Sequence, residues 1–215
     1  MKVSFKIKEV KPRVFCLTFK ECYDLSMFFL RYQEHYESPN PKFRGKQFEL
    51  LDFMEWYAKK SNGDGCFTYP SDWGGFNIPA HVVWTVHNYP MNDRNLYDYE
   101  MWEVYKKCLQ KYPDGKFYLI GVYGNGSSLR HEVAHGFFYT IPEYRYEMTR
   151  LVKALKPSVY KSMCKHLKLI GYTPGVYVDE CQAYFSTGQS FIKLKGQEKP
   201  FIQLFEQYFG GKHER

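Results

Sequence analysis

Residues 127–140, SSLRHEVAHGFFYT, place two histidines four residues apart with a glutamate directly after the first. On an α-helix of 3.6 residues per turn, His131 and His135 share a face and can hold a metal ion between them. The flanking residues suit such a helix. Ser127 or Ser128 is a candidate N-cap, and Val133, Ala134, Phe137 and Phe138 make the segment apolar enough for burial. Buried imidazoles and a buried carboxylate need partners, and a cation supplies one. His131-Glu132-Val133-Ala134-His135 matches H-E-x-x-H, in which two neutral imidazoles ligate zinc and the glutamate polarises a water. Glu132 is then the expected general base, taking a proton from that water and passing it to a leaving amine.

A catalytic zinc takes three protein ligands and keeps one position open, so the third ligand comes from elsewhere in the chain. His166 in KSMCKHLKL reads more readily as a surface or packing histidine, and TIPEY turns the chain away before Glu143 and Glu147. Glu180 in VYVDECQAYF is better placed. On a helix it shares a face with Ala183 and Tyr184, and small Ala183 lets that helix press against the histidine helix. Asp179 either hydrogen-bonds a ligand imidazole or starts its helix with a favourable charge. Tyr177 and Tyr184 are candidate donors to an oxyanion, with packing as the alternative for each, and Tyr139 reads as core.

H-E-x-x-H followed some 45 residues later by DECQAY resembles the gluzincin group of zinc metallopeptidases, whose third ligand is a glutamate on a following helix. The additional histidine of the metzincin motif is missing, since residues 138–145 supply none. The strings FRGKQFELLDFMEWYA, WGGFNIPAHV, FYLIGVYG and LRHEVAHGFFYTIPEYR are also similar to an uncharacterised family of small microbial H-E-x-x-H proteins, over about residues 30 to 190. That resemblance implies a zincin-like core and brings no substrate with it.

Around the motif, a chain of 215 residues with 44% apolar and 25% charged residues is long enough for one well-packed core, so a single domain over 1–215 is expected, with residues 1–60 as a possible N-terminal subdomain. The start, MKVSFKIKEV, has no continuous apolar run of the signal-peptide kind. No segment approaches the eighteen or so apolar residues of a membrane span. The six cysteines are scattered without a C-x-x-C pair, so free thiols in a reducing compartment are expected. A cytoplasmic location follows, although a protein released by a non-classical route would look identical. The net charge of +7 is spread out, and its densest stretch, KVSFKIKEVKPR, alternates with apolar residues as a half-exposed strand does. Neither nucleic acid nor membrane is expected as a partner. YGNGSS lacks the lysine of a phosphate loop, and no cysteine has the context of a nucleophile.

Periodicity predicts strands at the N-terminus and VFCLTF, and helices over KECYDLSMFFLRYQEHYE and GKQFELLDFMEWYAKK, the latter burying Phe48, Leu51 and Met54 or Glu55 before SNGDG stops it. CFTYPSDWGGFNIPAHVV reads as a loop with short strands, its YPSDWGGFNIP part either a groove wall presenting Trp73 and Phe76 or an ordinary packed loop. A helix over NLYDYEMWEVYKKCLQKY and a strong strand over KFYLIGVYG follow, the strand offering an edge that can align an extended substrate. Helices are predicted over YEMTRLVKAL, SVYKSMCKHLKLIG, VYVDECQAYFSTG and KPFIQLFEQYFG, the last ended by Gly210 and Gly211. The expected fold is α+β and zincin-like, a small sheet packed on the active-site helix with additional helices.

The expected activity is zinc-dependent hydrolysis of a peptide or protein substrate. Two alternatives stay open: a zinc hydrolase of a non-peptide amide, and a binding module in which zinc is structural. Glu132 speaks against the last, because a structural site needs no base there.

Overall fold

The structure, a computed structural model, describes residues 3–61, 65–124, 126, 128–189, 191–192 and 196–210. It is α+β, with a four-stranded mixed sheet and many helices, and divides into two compact units, Met1–Leu129 and Arg130–Arg215. No helix among the described residues is long and apolar enough to cross a membrane. No disulfide joins the six cysteines, all of which are among the described residues.

In the first unit, β1 (Phe5–Lys11) and β2 (Val14–Phe19) form a hairpin that turns at Arg13, with φ 66°. Strand β3 (Gly75–Pro79) and strand β4 (Tyr118–Tyr123) complete a sheet of order β1-β2-β4-β3, in which only β2 and β4 are parallel. The near-continuous apolar run YLIGVY thus occupies an interior strand, as expected for residues buried on both faces. This corrects the reading of β4 as an edge that aligns substrate, because both of its sides are already paired.

Helix α1 (Cys22–Glu37) lies directly on β4 at Gly121, where an added Cβ would come within 2.4 Å of the Phe29 ring and 2.6 Å of Leu25. Phe29 also stacks on Phe76 of β3, their centroids 5.7 Å apart. Phe76 and Tyr69 are buried, so YPSDWGGFNIP packs and leaves no groove wall at Phe76. That region is also more helical than its Gly and Pro content suggested, holding α3 (Tyr69–Asp72) and α4 (Ala80–His87) beside β3. Helix α2 spans Leu50–Ser61, and its buried face is not the one counted from Phe48. Leu51 is 64% exposed, while Phe53 is fully buried with Trp56 and Tyr57 packed beside it. Phe48 precedes the helix, its carbonyl accepting from Arg31 Nη1 at 3.0 Å, so it does not set the helical phase. The residues at 62–64, within the proposed stop SNGDG, lie outside the described residues.

Helix α5 (Leu96–Lys111) starts with a reciprocal cap between Asn95 and Asp98. Asp98 also accepts from Arg31 Nε at 3.0 Å, and Asp93 from Arg31 Nη2 at 3.1 Å, so the buried guanidinium sits between two carboxylates. Nearby, Tyr69 donates to the buried Glu34 at 2.9 Å. Burial pushes the Glu34 carboxyl up from 4.5 to about 7, against hydrogen bonds from Ser38 and Tyr69 that favour the anion. A carboxyl whose pKa is raised on folding contributes stability that is complete below its unfolded pKa and is lost as pH rises through the folded one. Between about pH 4.5 and 7 the wild type is therefore expected to lose about 3 kcal/mol through this group. Glu34→Gln should remove that part of the decline, which urea denaturation at pH 5 and pH 8 measures. Parallel pH dependences in the two proteins would refute it.

The second unit is helical among its described residues: α6 (Leu129–Thr140), α7 (Pro142–Lys153), α8 (Pro157–Leu169), α9 (Tyr177–Thr187) and α10 (Lys199–Gly210). Helix α9 packs on α7, α8 and α10, and it ends at Gly188 in the left-handed conformation, φ 72°. Phe137 of α6 anchors the core, with Tyr144 and Phe205 at centroid distances of 5.6 and 6.0 Å. Gly211, offered as part of the stop of α10, lies outside the described residues.

Candidate metal centre

Helix α6 carries the motif as its periodicity requires, with His131 and His135 on one face and their Nε2 atoms 3.2 Å apart. Ser128 immediately precedes the helix and donates its hydroxyl to the Gly74 carbonyl at 2.8 Å. Ser127 lies outside the described residues. Glu180, in the first turn of α9, brings Oε2 to 3.8 Å from His131 Nε2 and Oε1 to 3.6 Å from His135 Nε2. These three side chains are buried, at 7%, 2% and 2% exposure, and their ligand atoms lie within 4.8 Å of one another. Two imidazoles and a carboxylate converging at such distances can hold a metal ion. The donor set fits one: nitrogen and oxygen, two helices, a dry setting.

Asp179 Oδ1 stands 2.9 Å from His135 Nδ1, so it orients this imidazole with Nε2 facing the centre. Burial lowers the pKa of His135, but the charges of Asp179, Glu180 and Glu132 outweigh it and hold the ring well above its ordinary value. His131 goes the other way, held well below its ordinary value by burial and by His135. Its Nδ1 is buried without a hydrogen-bond partner among the described residues. Glu132 is also buried, at 4% exposure, and is near enough to raise the pKa of both His135 and Tyr184.

Tyr184 of α9 sets its ring 4.6 Å from that of His131. Burial and the charge of Glu180 hold its hydroxyl well above the ordinary phenol value, so it stays protonated as a donor, against a hydrogen bond from Tyr172. Tyr177 is buried at the start of α9, with Cys164 rather than the histidines as its electrostatic neighbour. Ala183 is fully buried. None of the remaining candidates belongs to the group of three ligating side chains. His166 of α8 stacks on Phe191 with centroids 4.3 Å apart, Glu147 pairs with Arg150 at 2.8 Å, Glu143 is exposed and Tyr139 is half-buried.

Sequence reading passed over Gln182, a fully buried residue of α9 whose amide bonds to Asp179, to the Ala134 carbonyl and to Tyr144. The only trace in the sequence is an amide among apolar neighbours two residues beyond Glu180, and nothing local reveals its partners. Neither protein-family models nor curated proteins nor solved structures give a match to this chain.

Proposed function

We propose that the chain is a zincin-like zinc hydrolase that cleaves peptide bonds, with His131, His135 and Glu180 as the metal ligands and Glu132 as the general base. One observation carries the reading. Ligands about 2.0–2.1 Å from a tetrahedral zinc stand about 3.3–3.4 Å from one another. The imidazole nitrogens stand 3.2 Å apart, each has one oxygen of the Glu180 carboxylate at 3.6 or 3.8 Å, and one donor atom from each residue fits within 4.8 Å, close enough for a small shift to close the set on an ion. Three protein ligands, the number in this group among the described residues, suit a catalytic site with an open position better than a closed structural one.

When bound, zinc would acidify a water toward neutral pH and polarise a carbonyl. Glu132, buried beside the histidines, would accept the proton that water loses and carry it to the departing amine nitrogen. A dry carboxylate has little solvation to shed when the proton arrives. Asp179 would keep the His135 ring turned with Nε2 inward. Tyr184, its phenol held protonated beside His131, would donate to the oxygen that gains charge during attack.

The test is zinc stoichiometry on wild type and Glu180→Ala, with peptide-library cleavage on the same preparations before and after chelation. The expected result is one zinc per wild-type chain, weakened retention in Glu180→Ala, and cleavage lost in that variant and on chelation. Full zinc retention in Glu180→Ala would remove it as a ligand. Zinc without peptide cleavage would move the assignment to a non-peptide amide, and a wild type that takes up no metal would end it.

A further inference from the structure

We propose that Gln182 is a positioning residue for this centre, its side-chain amide locking Asp179, and through Asp179 the ring of His135, to the backbone of the histidine helix. The inference rests on reading His131, His135 and Glu180 as a metal site, and it adds the device that keeps one ligand aimed.

Every polar atom of this amide has a partner. Nε2 donates to Asp179 Oδ1 at 2.8 Å and to the Ala134 carbonyl at 3.3 Å, while Oε1 accepts from the Tyr144 hydroxyl at 3.0 Å. The orientation is chemically forced, since a flipped amide would aim its oxygen at a carboxylate and a carbonyl, both acceptors only. Both partners of Nε2 bear on His135. Ala134 is its chain neighbour, and Asp179 Oδ1 is the atom 2.9 Å from its Nδ1. One amide therefore ties the backbone beside the ligand to the carboxylate that orients the ligand's ring.

Asp179 needs such a tie. Its side chain is 23% exposed, whereas that of His135 is 2% exposed, so an unrestrained carboxylate can turn toward water and release the imidazole. Gln182 is fully buried, and Tyr144 behind it is fully buried too, so the restraint comes from the packed interior. The chain Tyr144, Gln182, Asp179, His135 thus runs from α7 through α9 to α6 by two hydrogen bonds of 3.0 and 2.8 Å and an ion-pair contact of 2.9 Å.

The experiment is a zinc titration against a chromophoric chelator on wild type, Gln182→Met, Asp179→Ala and the double variant. Methionine keeps the shape and deletes all three polar contacts. Partners beyond the ligands typically change metal affinity by 10–100-fold, so Gln182→Met is expected to weaken zinc by about tenfold, and by under about twofold when Asp179 is already Ala. The thermal midpoint of the metal-free proteins is recorded alongside. An affinity within about twofold of wild type, or the same tenfold loss without Asp179, would overturn the proposal. Should Gln182→Met not fold, Tyr144→Phe removes a single hydroxyl and is expected to cost about threefold, with no change overturning the chain.

A readout independent of metal separates this proposal from the site reading. In the metal-free protein, the His135 Nδ1 proton should give a downfield, slowly exchanging NMR signal, weakened in Gln182→Met or, should that not fold, in Tyr144→Phe. If the wild type binds no zinc the metal centre falls. Loss of that signal in the variant would still support the positioning role, and an unchanged signal would overturn it.

Discussion

Glu132→Gln is expected to keep one zinc per chain and to lower peptide cleavage by about a thousandfold, within the range that a positioned general base contributes. On the proposed reading, the amide preserves the size and burial of the side chain but has no site for the proton that attacking water must lose. Its position on the buried face of α6, next in sequence to His131 and outside the three-membered ligand group, is what separates its two effects. A metal ligand lost would take zinc with it, and a base lost would not. Zinc content, substrate binding and turnover measured on one preparation therefore discriminate the roles. Loss of zinc together with activity would make Glu132 a ligand or a structural group, and undiminished turnover would remove it as the base.

Asp98→Ala is expected to destabilise the N-terminal unit by about 4 kcal/mol, the cost typical of removing one partner of a buried ion pair. Arg31 is 3% exposed and Asp98 is 7% exposed, so the guanidinium cannot recover the lost interaction from water. Burial works against its charge, and Asp98 together with Asp93 outweighs burial and raises its pKa. The substitution also removes the carboxylate that accepts from the Asn95 backbone at 3.1 Å in the cap of α5. Asp93 stays bonded to Arg31 and keeps the cost from rising further. Urea denaturation measures the loss, and Arg31→Met combined with Asp98→Leu should recover most of it by removing both charges. A single-variant loss below about 1 kcal/mol would mean that Asp93 alone satisfies the guanidinium.

What the sequence made legible was local. The four-residue spacing of His131 and His135, the apolar run of β4 and the alternation of β1 are readable because each element's own residues carry its periodicity. Leu51 shows where this fails: the count began at Phe48, which lies outside α2, and the face came out rotated. The eight residues of α4 were hidden by Gly75 and Pro79 just ahead of them, although these belong to a strand that ends where the helix begins. The interior position of β4 depends on which strands flank it, a matter of topology that its own residues do not encode. Around the candidate site, the meeting of Glu180 with the histidines was anticipated from a helical face. Gln182 was not, because its partners Tyr144 and Ala134 are 38 and 48 residues away.

The parallel pairing of β2 with β4 joins Val14 to Tyr118 and Phe19 to Tyr123, residues about a hundred positions apart in the chain. Until that long loop closes, β2 has only its hairpin partner β1 and β4 has only β3. Loop-closure entropy must be met before the central ladder returns any favourable energy, which sets a late and slow step for this unit. On a ribosome the consequence is sharper. The hairpin emerges about a hundred residues before β4, and its β2 flank stays bare until residue 123 has been made, an interval in which that flank is open to pairing with a stranger.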